Sequence, residues 1–164
     1  METSKTISQL MENEPETIIS VSNSYGCESV YVKKESIRQV ISELKEKQGF
    51  IYLTDLCGAH YPDKENPFEV IYHLHNLTEN KRLRLKVQLS VEPEIDSISD
   101  IFSAANWMER ETYDFYGIKF INHPNLIRIL NVEYLDYFPL RKEFPLEDQT
   151  REDKDDRFFG REKI

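Results

Sequence analysis

Apolar and polar side chains alternate without exception from Arg82 to Leu89, and no other feature constrains the fold as strongly. In an extended strand, successive side chains point to opposite faces of the sheet. One face would carry Leu83, Leu85, Val87 and Leu89, and the other Arg82, Arg84, Lys86 and Gln88. The segment therefore predicts a sheet that is covered on one face only. We expect the basic face to be solvated, with a docking surface as the alternative.

Four more strands are predicted from short runs of β-branched and aromatic residues. The runs are 17–21, 29–32, 50–56 and 68–74. The first two flank the polar loop 22–26, a pattern typical of a hairpin. The last two runs are separated by a stretch that begins at Gly58 and contains two prolines. They precede the alternating strand in the sequence. We expect these last three strands to form a meander.

Three segments carry apolar residues at helical spacing. Their stripes are Ile7, Leu10 and Met11; Ile37, Val40, Ile41 and Leu44; and Ile98, Ile101, Phe102 and Ala105. Gly49 is placed to end the second helix. Ser97 and Asp100 form the pattern of a capping box, so we predict that the third helix begins there and runs to Gly117. We expect the second of these helices to pack on the predicted sheet.

The last third of the chain differs in composition from the rest. Pro124, Pro139 and Pro145 interrupt a stretch in which neither helical nor strand periodicity persists. The final 18 residues contain 12 charged ones and too few large apolar groups to form a core. We predict a core domain over 1–120, an extended arm over 121–146 and a charged tail over 147–164.

Charge and motif content argue against several functions. The formal net charge of −9 is unsuited to a protein that binds a phosphate backbone. We find neither a long apolar segment nor a signal peptide, and we expect an intracellular chain. Cys27 and Cys57 lack a CxxC partner, His73 and His75 lack an evident third ligand, and the glycines form no nucleotide-binding motif. We expect reduced thiols, and no metal or cofactor bound by this chain.

The densest cluster of chemically active side chains lies at 107–117. On a helix, Glu109 and Glu111 point to opposite sides and cannot form a catalytic pair of carboxylates. Arg110 and Asp114 are four residues apart and can meet on one face beside Trp107 and Glu111. This pattern favours an ion network that is structural or faces a partner. Acid–base catalysis by these carboxylates or by His123 is the alternative.

A second unusual stretch, 138–146, contains two prolines six residues apart. They hold the backbone extended and present apolar and charged side chains in turn. Extended segments of this kind often lie along the surface of a partner. An ordinary surface loop is the alternative.

In these two stretches the sequence closely resembles the 30 kDa subunit family. In bacteria, the members of this family are the C-type subunits of NADH:quinone oxidoreductase (complex I). The matching blocks are ERETYDFYG at 109–117, His123 with Pro124, Arg128 to Leu130, and PLRKEFP at 139–145. The resemblance covers about 31–146 and assigns interface or structural roles to Trp107, Glu109, Arg110, Glu111, Asp114, Gly117, His123, Pro124, Arg128, Pro139, Leu140, Arg141, Lys142 and Pro145.

The resemblance implies a two-layer α+β domain, with helices packed on one mixed sheet and an extended C-terminal arm. It implies a cofactor-free peripheral-arm subunit of a proton-pumping translocase, on the cytoplasmic side of the bacterial inner membrane. The main partner would be the D-type subunit of the same complex, along which Pro139 to Pro145 would lie, with iron-sulfur subunits nearby. FMN and iron-sulfur clusters would belong to partner subunits, and NADH and quinone would be substrates of the complex.

Three other interpretations remain open at this point. The same kind of subunit serves membrane-bound nickel-iron hydrogenases and dehydrogenases fed by ferredoxin or F420. A free-standing enzyme would need a pocket in which carboxylates converge. A nucleic-acid adaptor using Arg82, Arg84 and Lys86 is disfavoured by the net charge.

Overall fold

The computed structural model describes residues 5–13, 16–24 and 26–144, in which three α-helices and seven strands form. The helices are α1 (Lys5–Asn13), α2 (Ile37–Gln48) and α3 (Ala105–Tyr116), and a 3-10 turn (Lys34–Ser36) precedes α2. The strands are β1 (Ile18–Ser24), β2 (Cys27–Val32), β3 (Tyr52–His60), β4 (Phe68–Asn76), β5 (Lys81–Leu89), β6 (Glu94–Asp96) and β7 (Lys119–Ile121).

Five strands form one mixed sheet in the order β1-β2-β5-β4-β3. Strands β3, β4 and β5 are antiparallel neighbours, which confirms the predicted meander. Strands β1 and β2 form the predicted hairpin, and β2 pairs in parallel with β5. Parallel neighbours need a long crossover, which α2, β3 and β4 provide. The α+β class with a mixed sheet is confirmed.

The hydrophobic core lies between one face of the sheet and the helices. Leu83, Leu85 and Val87 of β5 are buried there, as their alternation predicted. The predicted stripe of α2 is buried in the same cluster, and Gly49 ends this helix in the left-handed conformation with φ of 70°. Helix α3 packs on the same face, because Thr112 and Tyr116 fill the space over Gly58.

The capping box predicted at Ser97 is wrong, because α3 begins only at Ala105. The Ser97 hydroxyl donates to Glu109 Oε2 over 2.6 Å, and Asp100 pairs with Arg38 over 2.6 Å. Ser97 Oγ also accepts from the Ser99 amide over 3.1 Å, but this turn does not continue into a helix.

Three strand boundaries also differ from prediction. Strand β3 continues through Gly58 to His60, because these residues pair with β4 as far as Phe68. The hairpin strands extend to Ser24 and begin again at Cys27, so the loop is shorter than predicted. Strand β7 was missed, and its three residues pair in parallel with β6. Three residues are too few to show periodicity.

The opposite face of the sheet carries polar side chains. Its centre is Glu69, whose side chain is buried and approached by Lys64 Nζ at 3.0 Å, Tyr31 Oη at 3.3 Å and Lys86 Nζ at 3.5 Å. His73 and His75 lie in adjacent rows of this face. Among the described residues, no three His, Cys, Asp or Glu side chains come together in a way that could hold a metal ion.

Candidate functional site

Helix α3 positions the first part of the predicted signature. Its buried members are Glu109, Arg110 and Asp114, and its exposed members are Trp107 and Glu111. The predicted ion pair between Arg110 and Asp114 is wrong. Asp114 Oδ1 lies 2.8 Å from Arg128 Nη1 instead, and Arg110 Nε donates to the Ile127 carbonyl over 3.1 Å. Arg110 does lie against Trp107, 5.0 Å from the ring centroid, as predicted for one shared face.

Asp114 binds the backbone of residues 129–131 within the arm. Its Oδ2 accepts hydrogen bonds from the amides of Ile129, Leu130 and Asn131 over 3.0, 2.8 and 2.9 Å. Desolvation would raise the pKa of Asp114, but the amides of Asn131 and Leu130 and the side chains of Arg128 and Asn131 outweigh it. The pKa of Asp114 is therefore held well below its usual range.

Arg128 connects three parts of this structure. Its Nη1 donates to the carbonyl oxygen of Asp114 over 2.8 Å. Its Nη2 donates to the carbonyls of Leu135 and Tyr137 over 2.9 and 3.0 Å. The guanidinium also lies 4.9 Å from the ring centroid of Phe138. Because one planar group has five donors in fixed directions, Arg128 can hold the arm on α3 in a single geometry.

Gly117 ends α3 and leaves space for the arm. Its φ of 74° is left-handed, and a Cβ there would lie 2.5 Å from a ring carbon of Phe138 and 2.7 Å from Arg141 Nη2. Arg141 Nε donates to the Tyr116 carbonyl over 2.7 Å. The Arg141 guanidinium lies between the rings of Phe68 and Phe138, at 4.9 and 4.8 Å. Gly117 thus meets two steric demands at once.

The segment 138–144, which belongs to the stretch predicted to be extended, packs against the core domain. The Leu140 amide donates to the Phe115 carbonyl over 3.2 Å, and the Lys142 amide donates to His60 Nδ1 over 3.0 Å. Desolvation, followed by the charges of Arg141 and Lys142, lowers the pKa of His60 although Glu143 opposes this. A neutral His60 can accept the Lys142 hydrogen bond. Pro139, half-buried, lies in the same stretch.

Glu109 is enclosed at the opposite end of α3. Its Oε2 accepts from the Ser97 hydroxyl over 2.6 Å and its Oε1 from the Ile98 amide over 2.8 Å. His123 Nε2 lies 3.9 Å from Oε2 and within 3.1 Å of the Asn106 carbonyl. Desolvation raises the pKa of Glu109 to about 7 against the hydrogen bonds from Ser97 and Ile98. The neighbouring Pro124 is exposed.

Compared with the wild type, the Glu109→Gln variant is expected to have a more favourable free energy of unfolding at pH 8 than at pH 5. Between its unfolded pKa of 4.5 and its folded pKa of about 7, Glu109 is protonated when folded and ionised when unfolded. The native state therefore binds more protons, and stability falls as the pH rises through this window. Glutamine cannot ionise, so the variant does not lose this stability as the pH rises. From pH 5 to pH 8, its free energy of unfolding in urea should rise by about 2 kcal/mol relative to that of the wild type.

Glu111→Gln is the matched control for this experiment, because Glu111 is an exposed residue of the same helix. Its free energy of unfolding should follow the pH dependence of the wild type. If Glu109→Gln also follows the wild-type curve, Glu109 does not change its protonation on folding in this range, and the account of its burial fails.

Several large apolar side chains of the arm face outward. Those most exposed are Tyr134 at 87%, Leu130 at 62%, Val132 at 49% and Ile127 at 46%. Trp107, beside Arg110 on α3, is 62% exposed. Monomeric proteins seldom present so many large apolar groups from an ordered segment. The backbone that carries Leu130 is held by Asp114, so this exposure is imposed by hydrogen bonds within the chain.

Sequence reasoning missed the binding partners of three residues at this site. Ser97 was assigned to a helix cap, His60 was left without a role, and Arg128 was named only through the family motif. Their partners are the side chain of Glu109, the Lys142 amide and the arm carbonyls. Local sequence carries no signal for contacts at these separations. Pro145 and the tail 147–164 lie outside the described residues, and the three domain boundaries stay predictions.

Solved structures define the class of protein. The trypsin-resistant fragment (1–134) of Nqo5 matches with a TM-score of 0.65 and 26% identity, covering 74% of this chain and 99% of the fragment. The membrane-bound sulfane sulfur reductase, an archaeal respiratory membrane complex, contains a chain with a TM-score of 0.73 and 23% identity. These alignments cover 85% of this chain and 84% of the other. The chain is therefore an α+β domain of the Nqo5 type.

Sequence comparisons then identify the family. The model of the respiratory-chain NADH dehydrogenase 30 Kd subunit matches residues 30–150. This chain belongs to that family. The C-type subunit of the NADH-quinone oxidoreductase from Mesorhizobium japonicum is 42% identical over 75% of this chain. The alignment spans 62% of the length of that relative. A C-type subunit of the same enzyme from Rhizobium etli is 40% identical over 84% of this chain, and 74% of that relative is covered.

Two features bear on how a member of this family could assemble with others. No helix among the described residues is long and apolar enough to cross a membrane. The arm, packed on α3, presents ordered apolar side chains to its surroundings. Glu109, Glu111 and Asp114, the carboxylates of a hypothetical enzyme, have different surroundings: Glu109 and Asp114 are buried with separate partners, and Glu111 is exposed.

Proposed function

We propose that this chain is a cofactor-free peripheral-arm subunit of a proton-pumping NADH:quinone oxidoreductase, complex I. It docks on the D-type subunit, beside neighbouring iron-sulfur subunits, and supports assembly and the transfer of electrons from NADH to quinone. The observation that carries this proposal is the row of exposed apolar side chains on an arm that the chain itself holds in place.

The arm suits protein docking for an energetic reason. Covering Leu130, Val132 and Tyr134, which are 62%, 49% and 87% exposed, would remove apolar area from water. Each Å² removed is worth about 25 cal/mol. The backbone that bears them is already ordered by Asp114 and Arg128, so docking loses little conformational entropy. A preorganised apolar surface is therefore available to a partner subunit.

The proposal divides the chemistry among subunits. FMN and the iron-sulfur clusters are held by other chains, and NADH and quinone are substrates of the complex. The chain lies on the cytoplasmic side of the bacterial inner membrane and reaches the membrane only through its partners. Arg110, Asp114 and Arg128 position the arm in this account, whereas Glu109 binds Ser97 and Ile98. None of these four residues takes part in electron transfer.

Leu130→Asp is expected to release the chain from its complex without unfolding it. A carboxylate at this position would have to be desolvated without a partner when the arm docks. We expect recovery of the D-type subunit with a tagged copy, purified from native membranes, to fall by about tenfold or more, which corresponds to about 1.4 kcal/mol. NADH-dependent quinone reduction in the purified material should fall equally.

Ile19→Asp is the matched control for this test, because Ile19 is 58% exposed in β1, at the sheet edge opposite β3. It should co-purify with the complex as the wild type does. Equal recovery of both variants would contradict docking through the arm.

The same purification separates the competing functions. Recovery of a D-type subunit with flavin and iron-sulfur subunits supports complex I. Recovery of hydrogenase subunits, or of subunits fed by ferredoxin or F420, would assign the chain to a related complex. The chain of the sulfane sulfur reductase has the same fold, which is why the purification must distinguish such related complexes. Recovery of the wild-type chain alone would favour a free-standing enzyme.

A further inference from the structure

The polar face of the sheet carries a compact group of basic side chains. In the register of β4 and β5, His75 lies opposite Arg82 and His73 lies opposite Arg84. These four residues occupy two neighbouring rows, and we call them the basic sheet face. Arg82 and Arg84 are two residues apart on one strand, so their side chains leave the same face about 7 Å apart.

Charges around the basic sheet face are unequally compensated. Lys86 lies 3.5 Å from Glu69, and Asp55 lies opposite His73 in the register of β3 and β4. Among the described residues, neither Arg82 nor Arg84 has a carboxylate within ion-pair distance. Arg84 Nη1 donates a hydrogen bond to the Ser29 hydroxyl over 3.4 Å. The face therefore presents two uncompensated guanidinium groups in a chain whose net charge is −9.

The helices leave this face open. Gly58, under α3, is in register with Val70, and Val70 is buried in the core with the residues of α2. Arg84 and His73 alternate in sequence with core residues such as Leu85 and Leu74, and they lie on the opposite side of the sheet. The basic sheet face is thus separate from the arm that packs on α3. A partner could occupy both surfaces at once.

We propose that the basic sheet face binds an extended acidic segment of a partner protein, with carboxylates at alternate positions. Alternate side chains of an extended segment are spaced as Arg82 and Arg84 are. Each guanidinium can bind a carboxylate with two parallel hydrogen bonds, a geometry that a hydrated lysine lacks. His73 and His75 flank this pair and can contribute ring N–H donors. A nucleic acid fits less well, because the net charge of −9 would repel its phosphate backbone.

The test mixes the full chain with a short fluorescent peptide of alternating Glu and Thr at low ionic strength. Fluorescence anisotropy measures the binding of the peptide. We expect binding that weakens as salt is added. The double substitution Arg82→Glu/Arg84→Glu should weaken it by about tenfold or more, because both bidentate ion pairs are lost and the new carboxylates repel those of the peptide. Circular dichroism checks that the variant is folded.

The matched control is Lys33→Glu/Lys47→Glu, which changes the net charge equally at two exposed residues away from this face. It should change the affinity by less than about twofold, the scale of a screened surface charge. An equal loss in both variants would overturn the proposal, since net charge alone would then explain binding. Tighter binding of a single-stranded oligonucleotide of equal charge would overturn the assignment to a protein segment.

A second measurement uses the complex purified from native membranes. Phenylglyoxal modifies accessible guanidinium groups, and mass spectrometry locates the modified residues. Arg82 and Arg84 should be modified at least about tenfold more slowly in the complex than in the free chain, as expected for groups held in bidentate ion pairs. Equal rates would overturn the proposal. This result is independent of docking through the arm, which Leu130→Asp tests separately.

Discussion

Asp114→Asn is expected to detach the arm from α3 and to lower the free energy of unfolding by about 3–5 kcal/mol, the usual loss when one partner of a buried charged network is removed. The carboxylate of Asp114 accepts three backbone amides and pairs with Arg128. An asparagine keeps one oxygen and turns an N–H₂ donor toward groups that are themselves donors. The N–H₂ group would then face either the three backbone amides or the donors Arg128 Nη1 and Asn131 Nδ2, and the negative charge that pairs with Arg128 would be lost.

Urea unfolding measures this loss, and limited proteolysis within 121–144 reports whether the arm has detached. Asp136→Asn is the matched control, because Asp136 is an exposed residue of the arm. The lowered pKa of Asp114 also fixes the direction of a pH effect. Its contribution is complete above the unfolded pKa of 3.8 and is lost as the pH falls toward the folded value. Equal stability of the two variants would refute this account of the arm.

Gly117→Ala is expected to lower the free energy of unfolding by about 3 kcal/mol. An alanine at φ of 74° costs about 1–2 kcal/mol because of its left-handed conformation. Its Cβ would also lie 2.5 Å from Phe138 and 2.7 Å from Arg141, and overpacking of this kind costs about 1–3 kcal/mol. Both neighbours belong to the arm. The substitution should therefore release the arm and increase its cleavage by protease.

Gly26→Ala separates these two costs. Gly26 has φ of 75°, nearly the same backbone conformation, but no atom of the described residues beyond its chain neighbours lies within 4 Å of an added Cβ. Its loss of stability should be limited to about 1–2 kcal/mol, with no change in protease cleavage of the arm. If the two alanine variants lose the same stability, Phe138 and Arg141 do not pack over Gly117 in solution.

Sequence patterns determined the elements that bury an apolar face. The alternation at 82–89 and the stripe at Ile37, Val40, Ile41 and Leu44 predicted β5 and α2, because a strand or helix shows its buried face through a fixed period. Gly49 marked the end of α2 correctly, since only glycine adopts its left-handed conformation without strain. The motif blocks at 109–117 and 139–145 identified the family, which the 30 Kd subunit model confirmed.

Tertiary structure decided which polar groups meet. Asp114 was expected to pair with Arg110 four residues before it, and it pairs with Arg128 fourteen residues after it. Ser97 was expected to cap a helix, and its hydroxyl binds Glu109 twelve residues later. Likewise, the parallel pairing of β2 with β5 joins strands far apart in sequence.

The physical reason is the same in each case. Burial of an apolar side chain depends mainly on its own chemistry and on the local period, both of which are present in the sequence. A buried polar group instead requires a specific donor or acceptor at hydrogen-bond distance. The position of that partner exists only after the core has brought distant segments together. Periodicity therefore predicted helices and strands of this domain, whereas only the folded chain showed how its arm is held.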